Sequence, residues 1–153
     1  MSQSSRWTTC SRDDCRGPGT VLMTANLARP ASIFRHRATV DVFREALGAH
    51  ILRRGCEAPA YCFMPDHLHL ASSGLRDQSD AWLAVVDFKR ETGEWLRETG
   101  KGARWQSGFD VRLLCDPQAV EDACFYVWNN PVVAGLARAW QDYEFSGEIR
   151  EAR

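Results

Sequence analysis

The stretch from Tyr61 to Leu70, YCFMPDHLHL, constrains the fold of this chain more than any other. Two short extended segments, Ala60 to Met64 and His67 to Ser72, flank a break at Pro65-Asp66, the pattern of a hairpin or a bulged turn. Upstream, Thr20 to Asn26 is a β-branched and apolar run that reads as a first strand, and Pro30 breaks the pattern soon after it. Val40, Phe43, Leu47 and Ile51 then recur at helical spacing between Thr39 and Arg54, and Gly55 ends that helix. Downstream, Trp82, Val85, Val86, Lys89, Trp95 and Leu96 fall on a helix from about Asp80 to Glu98. Phe109, Val111 and Leu113 alternate with Asp110 and Arg112 as a strand does.

Asp116-Pro117 is a strong helix start, because Asp caps and Pro suits the first helical position. That helix is expected to run to about Asn129, where Pro131 restricts its end. The order β-α-β-β-α-β-α predicts an α+β fold: a ferredoxin-like split β-α-β, with an antiparallel sheet, helices on one face, and an added C-terminal helix that carries Tyr126. Residues 1–19, rich in Ser, Arg, Asp and Gly, read as a disordered tail, and 20–153 as one domain.

Composition narrows the class. With 44% hydrophobic and 25% charged residues in 153, the chain has the material for one folded core. The net charge of −1 hides an asymmetry: residues 1–60 carry nine Arg against five acids, and the remainder ten bases against fifteen. A basic N-terminal part can face phosphates, although charge alone is weak support for that. The six cysteines form no CxxC pair; Cys62, Cys115 and Cys124 lie in apolar runs and read as small core residues. Cys10 and Cys15 read as a chance pair in the tail. Neither a signal peptide nor a membrane-spanning run is seen, so a cytoplasmic location is expected.

Two of the four histidines, His67 and His69, are separated by one residue. On a strand they share a face, while Leu68 and Leu70 turn to the other. Such a pair is half of a metal chelate, and equally a pair of hydrogen-bonded surface histidines. Tyr126 and Asn130 stand one turn apart on the last helix, so a hydroxyl and an amide oxygen share a face; packing is the ordinary job of such an aromatic.

Taken together these pieces resemble a family. The His67-Leu-His69 strand is similar to the metal-site strand of the single-tyrosine HUH transposases. Lys89, Trp105-Gln-x-Gly-Phe109, Tyr126-Val-Trp-Asn-Asn-Pro131 with Gly135-Leu136, and Asp142-Tyr-x-Phe-Ser146 follow in the family's order. The pattern is most similar to the REP-associated tyrosine transposases and spans about Thr20 to Ser146, leaving the tail with its two cysteines uncovered. Asp66 stands where relatives often carry Asn or Glu.

The resemblance implies His67, His69 and Asn130 as metal ligands, Tyr126 as nucleophile, and Mg²⁺ or Mn²⁺ as the ion. Imidazole alone would favour zinc or another transition metal. It also implies single-stranded or hairpin DNA as substrate, nicked and rejoined through a 5′-phosphotyrosine in transposition or palindromic-repeat processing. Either a monomer or a homodimer fits that pattern. Lys89, Arg90, Arg104 and Arg112 are the expected phosphate contacts, and six tryptophans offer stacking surfaces, though Trp82 and Trp95 follow core spacing. Tyr143 lies beyond Pro131 without a ligand at i+4 and reads as structural.

Other readings compete. A domesticated protein could bind DNA hairpins without cutting them. A histidine-nucleophile phosphohydrolase would need a further alternating histidine, and position 71 is Ala. A cysteine-based metal regulator would need partners for Cys10 and Cys15, and none are well placed.

Overall fold

The computed structural model describes residues 7–29 and 31–152, so Pro30 lies outside the described residues. Six strands form one antiparallel sheet: β1 (Trp7–Thr9), β2 (Gly19–Asn26), β3 (Cys56–Met64), β4 (His67–Gly74), β5 (Asp110–Leu114) and β6 (Ser146–Ile149). Their spatial order is β1-β5-β2-β4-β3-β6. The inner four, with helices α1 (Arg37–Arg53) and α2 (Ala81–Thr99), make the expected split β-α-β unit. Strands β1 and β6 extend it at the two edges, and α3 (Pro117–Val133) follows β5.

Local chemistry accounts for these elements. Asp80 caps α2 by accepting from the Leu83 amide at 2.9 Å, and Gly100 closes the helix in the left-handed region at φ 65°. Asp116 caps α3 in the same way, 2.7 Å from the Ala119 amide, with Pro117 in the first turn. The α1 residues Val40, Phe43, Leu47 and Ile51 are all fully buried. Phe43 sits edge-on to Phe34, Phe88 and Trp95, with centroids 5.0 to 6.1 Å apart.

Four expectations need correction. Strand β1 pairs with β5 and Cys15 is buried in the main core, so the described part of the expected tail, from Trp7 on, is folded into the domain; residues 1–6 of that tail lie outside the described residues. The helices do not share one face. α1 and α2 cover the face bearing Met23, Phe63, Leu68 and Leu70, whereas α3 covers the other, packing Ala119, Ala123, Cys124 and Val127 on Leu22, Ala60, Cys62 and Ala71. Helix α3 also continues through a buried Pro131 to Val133. A proline in the last turn removes one helical hydrogen bond, and there the burial of its ring outweighs that loss. Finally, Cys115 is exposed just past β5, while Cys62 and Cys124 are buried as expected.

Candidate active site

His67 and His69 project from β4 toward α3, and Leu68 and Leu70 enter the opposite core. Their ring planes are nearly perpendicular, and their Nε2 atoms lie 3.1 Å apart. Each ring is fixed at its other nitrogen. The Nδ1 of His67 is 2.7 Å from Oδ1 of Asp66, and the Nδ1 of His69 is 3.1 Å from the Thr24 hydroxyl, Thr24 being its neighbour across β2. Since a carboxylate only accepts, the Nδ1 of His67 is the donor in its contact with Asp66.

Burial, aided by the neighbouring His67, pushes His69 down to about 4, so this imidazole is neutral at ordinary pH. Two nitrogens each bound at about 2.1 Å to one ion at right angles stand about 3 Å apart, so the observed separation fits joint ligation. Among the described residues no three His, Cys, Asp or Glu side chains converge on one point. A third protein ligand would therefore have to be of another type, and an amide oxygen is one.

Tyr126 reaches this pair from α3. Its half-buried ring stands edge-on to His69, centroids 5.4 Å apart at 71°, and makes a second edge-on contact with Trp7 at 5.3 Å and 72°. Asn130 lies one turn further along α3, half-buried, and its side chain makes no hydrogen bond among the described residues. Tyr143, by contrast, is occupied: its hydroxyl donates to the Phe63 carbonyl at 2.7 Å, and burial raises its pKa.

The four expected phosphate contacts separate into two groups. Arg112 lies on the histidine face of β5, held by Asp110 at 3.3 Å. Lys89, Arg90 and Arg104 lie around α2 and the 100–107 loop. Lys89 is engaged already, donating from Nζ to the carbonyls of Gln106 at 2.8 Å and Gly108 at 2.5 Å, and its burial lowers its pKa. Arg90 pairs with Asp87 at 3.3 Å.

Three contributors to the site were not assigned to it from sequence. Thr24 is a cross-strand partner, and alternation along one strand says nothing about which residue lies beside it. Trp7 fell in the expected tail, where an aromatic among polar residues was the available signal. Asp66 had one signal, its place directly before His67.

Paired imidazoles on a central strand, facing a tyrosine on the helix that covers the same face of the sheet, define a class of candidate phosphoryl-transfer site on a ferredoxin-like scaffold. Comparison with known proteins gives the class more exactly named relatives. The chain is similar to the REP-associated tyrosine transposases in both sequence and fold. It is 24% identical over 126 residues to a Haemophilus influenzae protein named as a REP-associated tyrosine transposase, covering 74% of this chain and 71% of that one. A solved structure of a REP-associated tyrosine transposase bound to a REP hairpin superposes with a TM-score of 0.72 at 21% identity, covering 85% of this chain and 76% of that one. No protein-family model matches the chain. Among the described residues no helix is long and apolar enough to cross a membrane.

Proposed function

We propose that this chain nicks and rejoins single-stranded or hairpin DNA, with Tyr126 as nucleophile and with His67, His69 and Asn130 holding a Mg²⁺ or Mn²⁺ ion. The observation that carries the reading is the edge-on placement of Tyr126 against His69, beside two Nε2 atoms 3.1 Å apart. The sequence relative and the fold relative, both REP-associated tyrosine transposases, point to the same substrate class. When bound, a divalent cation would neutralise charge on the scissile phosphate and favour the ionised phenol.

The phenolic oxygen of Tyr126 attacks phosphorus, the bond to the 3′ oxygen breaks, and that oxygen leaves as a 3′ hydroxyl after taking up a proton. The DNA stays attached through a 5′-phosphotyrosine, so the ester is kept for rejoining when a 3′ hydroxyl attacks in return. Thr24 and Asp66 orient the two imidazoles, and Trp7 limits where the Tyr126 ring can turn. Both histidines and the tyrosine belong to one chain, so this chemistry requires no second copy. A protein that works on DNA in this way is expected in the cytoplasm.

Incubation with labelled hairpin oligonucleotides and Mn²⁺ should yield a protein–DNA adduct that survives a denaturing gel and disappears with chelator. Tight binding without an adduct under any divalent ion would favour a hairpin-binding protein that does not cut.

A further inference from the structure

Cys10 and Cys15 bracket a single 3₁₀ turn, Arg12–Cys15, between β1 and β2. The Ser11 amide donates to the Asp14 carboxylate at 2.9 Å, and the Asp14 amide to the Ser11 carbonyl at 3.1 Å, so the chain doubles back on itself there. Alternation along β1 sends Trp7 to the α3 face and Cys10, three residues on, to the opposite one. On that face both sulfurs enter the same apolar cluster. Cys15 is 4% exposed within it, and Cys10 packs half-buried at its edge. The two thiols meet in this cluster, close enough for Cys15 to donate to Cys10.

The two sides of the turn are held unequally. Past Cys15 the chain is tied to the start of α2: Arg16 pairs with Asp80, the capping residue of that helix, at 3.8 Å, and the Gly17 amide donates to the Ser79 carbonyl at 2.8 Å. Before Cys10 stands β1, three residues at the sheet edge that pair with β5 alone, with Thr8 and Thr9 exposed. Yet this short edge strand carries Trp7, whose ring lies against Tyr126. A bond between residues 10 and 15 would therefore fasten a weakly held strand to a firmly built turn.

We propose that Cys10 and Cys15 are a redox modification site: a small-molecule disulfide oxidises them to a reversible disulfide, which fastens β1 and keeps Trp7 against Tyr126. The Cys10 thiolate, the more exposed of the two, attacks one sulfur of the small disulfide and expels the other as a thiolate. Cys15 then loses its proton and attacks the Cys10 sulfur, expelling the second small thiolate. Two protein thiols are oxidised to one disulfide, and one small disulfide is reduced to two thiols that carry away the two protons. Burial pushes Cys15 up to about 12 and raises Cys10 as well, so the exchange is slow at neutral pH and quickens as the thiolate fraction grows. Neither the cation nor DNA takes part.

The full chain, without metal or DNA, is equilibrated in buffers of graded oxidised-to-reduced glutathione at mildly alkaline pH. Acid quenching, alkylation of the remaining thiols and mass spectrometry of the digest should find a peptide cross-linked between Cys10 and Cys15, which disappears on return to reducing buffer. Hydrogen exchange across β1 then reads the fastening. Oxidised wild type should exchange more slowly than reduced by up to about 30-fold, the loop-closure entropy of a six-residue ring expressed as an equilibrium constant. Cys15→Ala should exchange like reduced wild type in both buffers, and Cys10→Ser, at the half-buried position, takes its place if Cys15→Ala melts early. A wild-type Cys10 that stops at the mixed disulfide would overturn the proposal, and so would a cross-linked form whose β1 amides exchange as fast as those of the reduced one. Failure to form a DNA adduct would sink the nuclease reading and leave this result untouched.

Discussion

His69 offers a perturbation whose size can be worked out from its surroundings. It is 6% exposed, and burial beside His67 pushes its pKa from 6.5 to about 4. In the unfolded chain the same ring titrates near its ordinary value. Between those two pH values the unfolded state binds the extra proton, so stability is full above about pH 6.5 and declines as the pH falls toward 4. From pH 7.5 to 4.5 this single group should cost roughly 2.5 kcal/mol, since a tenfold change in proton affinity is worth about 1.36 kcal/mol. Carboxylates titrate over the same range, so the comparison must be with His69→Asn, which keeps a polar group near Thr24 but has nothing to protonate. Urea denaturation of both proteins at the two pH values, at constant ionic strength and without metal, gives the difference. Wild type should lose about 2 to 3 kcal/mol more than the variant. Parallel losses would mean that His69 is solvated or carries its proton in the fold, and the neutral-imidazole argument would fail.

Other outcomes rest on particular contacts. Thr24→Val removes the hydroxyl 3.1 Å from His69 Nδ1, and calorimetry should find Mn²⁺ affinity lowered about 10- to 100-fold, as for other residues that orient metal ligands. Lys89→Gln removes the ammonium that fastens the 106–108 segment; denaturation should show a loss of about 2 kcal/mol, and hydrogen exchange at the Gln106 amide should quicken. Phe43→Ala opens a void among Phe34, Phe88 and Trp95 and should cost about 3 to 5 kcal/mol by the same denaturation assay.

Periodicity and caps carry much of this fold openly. Val40, Phe43, Leu47 and Ile51 mark one buried stripe, and Asp116-Pro117 starts α3 where sequence reading puts it. The placement of α3 was less plain, but it had a signal. Ala60 to Met64 is apolar at every position, and a strand buried on both faces reads as such a continuous run. That run requires cover on the second face, which α3 supplies. The continuation of α3 past Pro131 depends on packing that no local preference encodes. Likewise the His67–Leu68–His69 alternation tells which way the imidazoles point, but the contacts from Thr24 and Trp7 depend on register and on an edge strand 60 residues away in sequence from His67. Long-range pairings of this kind leave no periodic trace.

Tyr126 is the group proposed to take the DNA. Its most direct test is mass spectrometry of the proteolysed adduct formed with Mn²⁺ and a flanked hairpin. The nucleotide should be found on the peptide containing Tyr126, and Tyr126→Phe should form no adduct while still binding the hairpin. A nucleotide carried by the Tyr143 peptide, or an undiminished adduct in Tyr126→Phe, would show that Tyr126 is not the nucleophile.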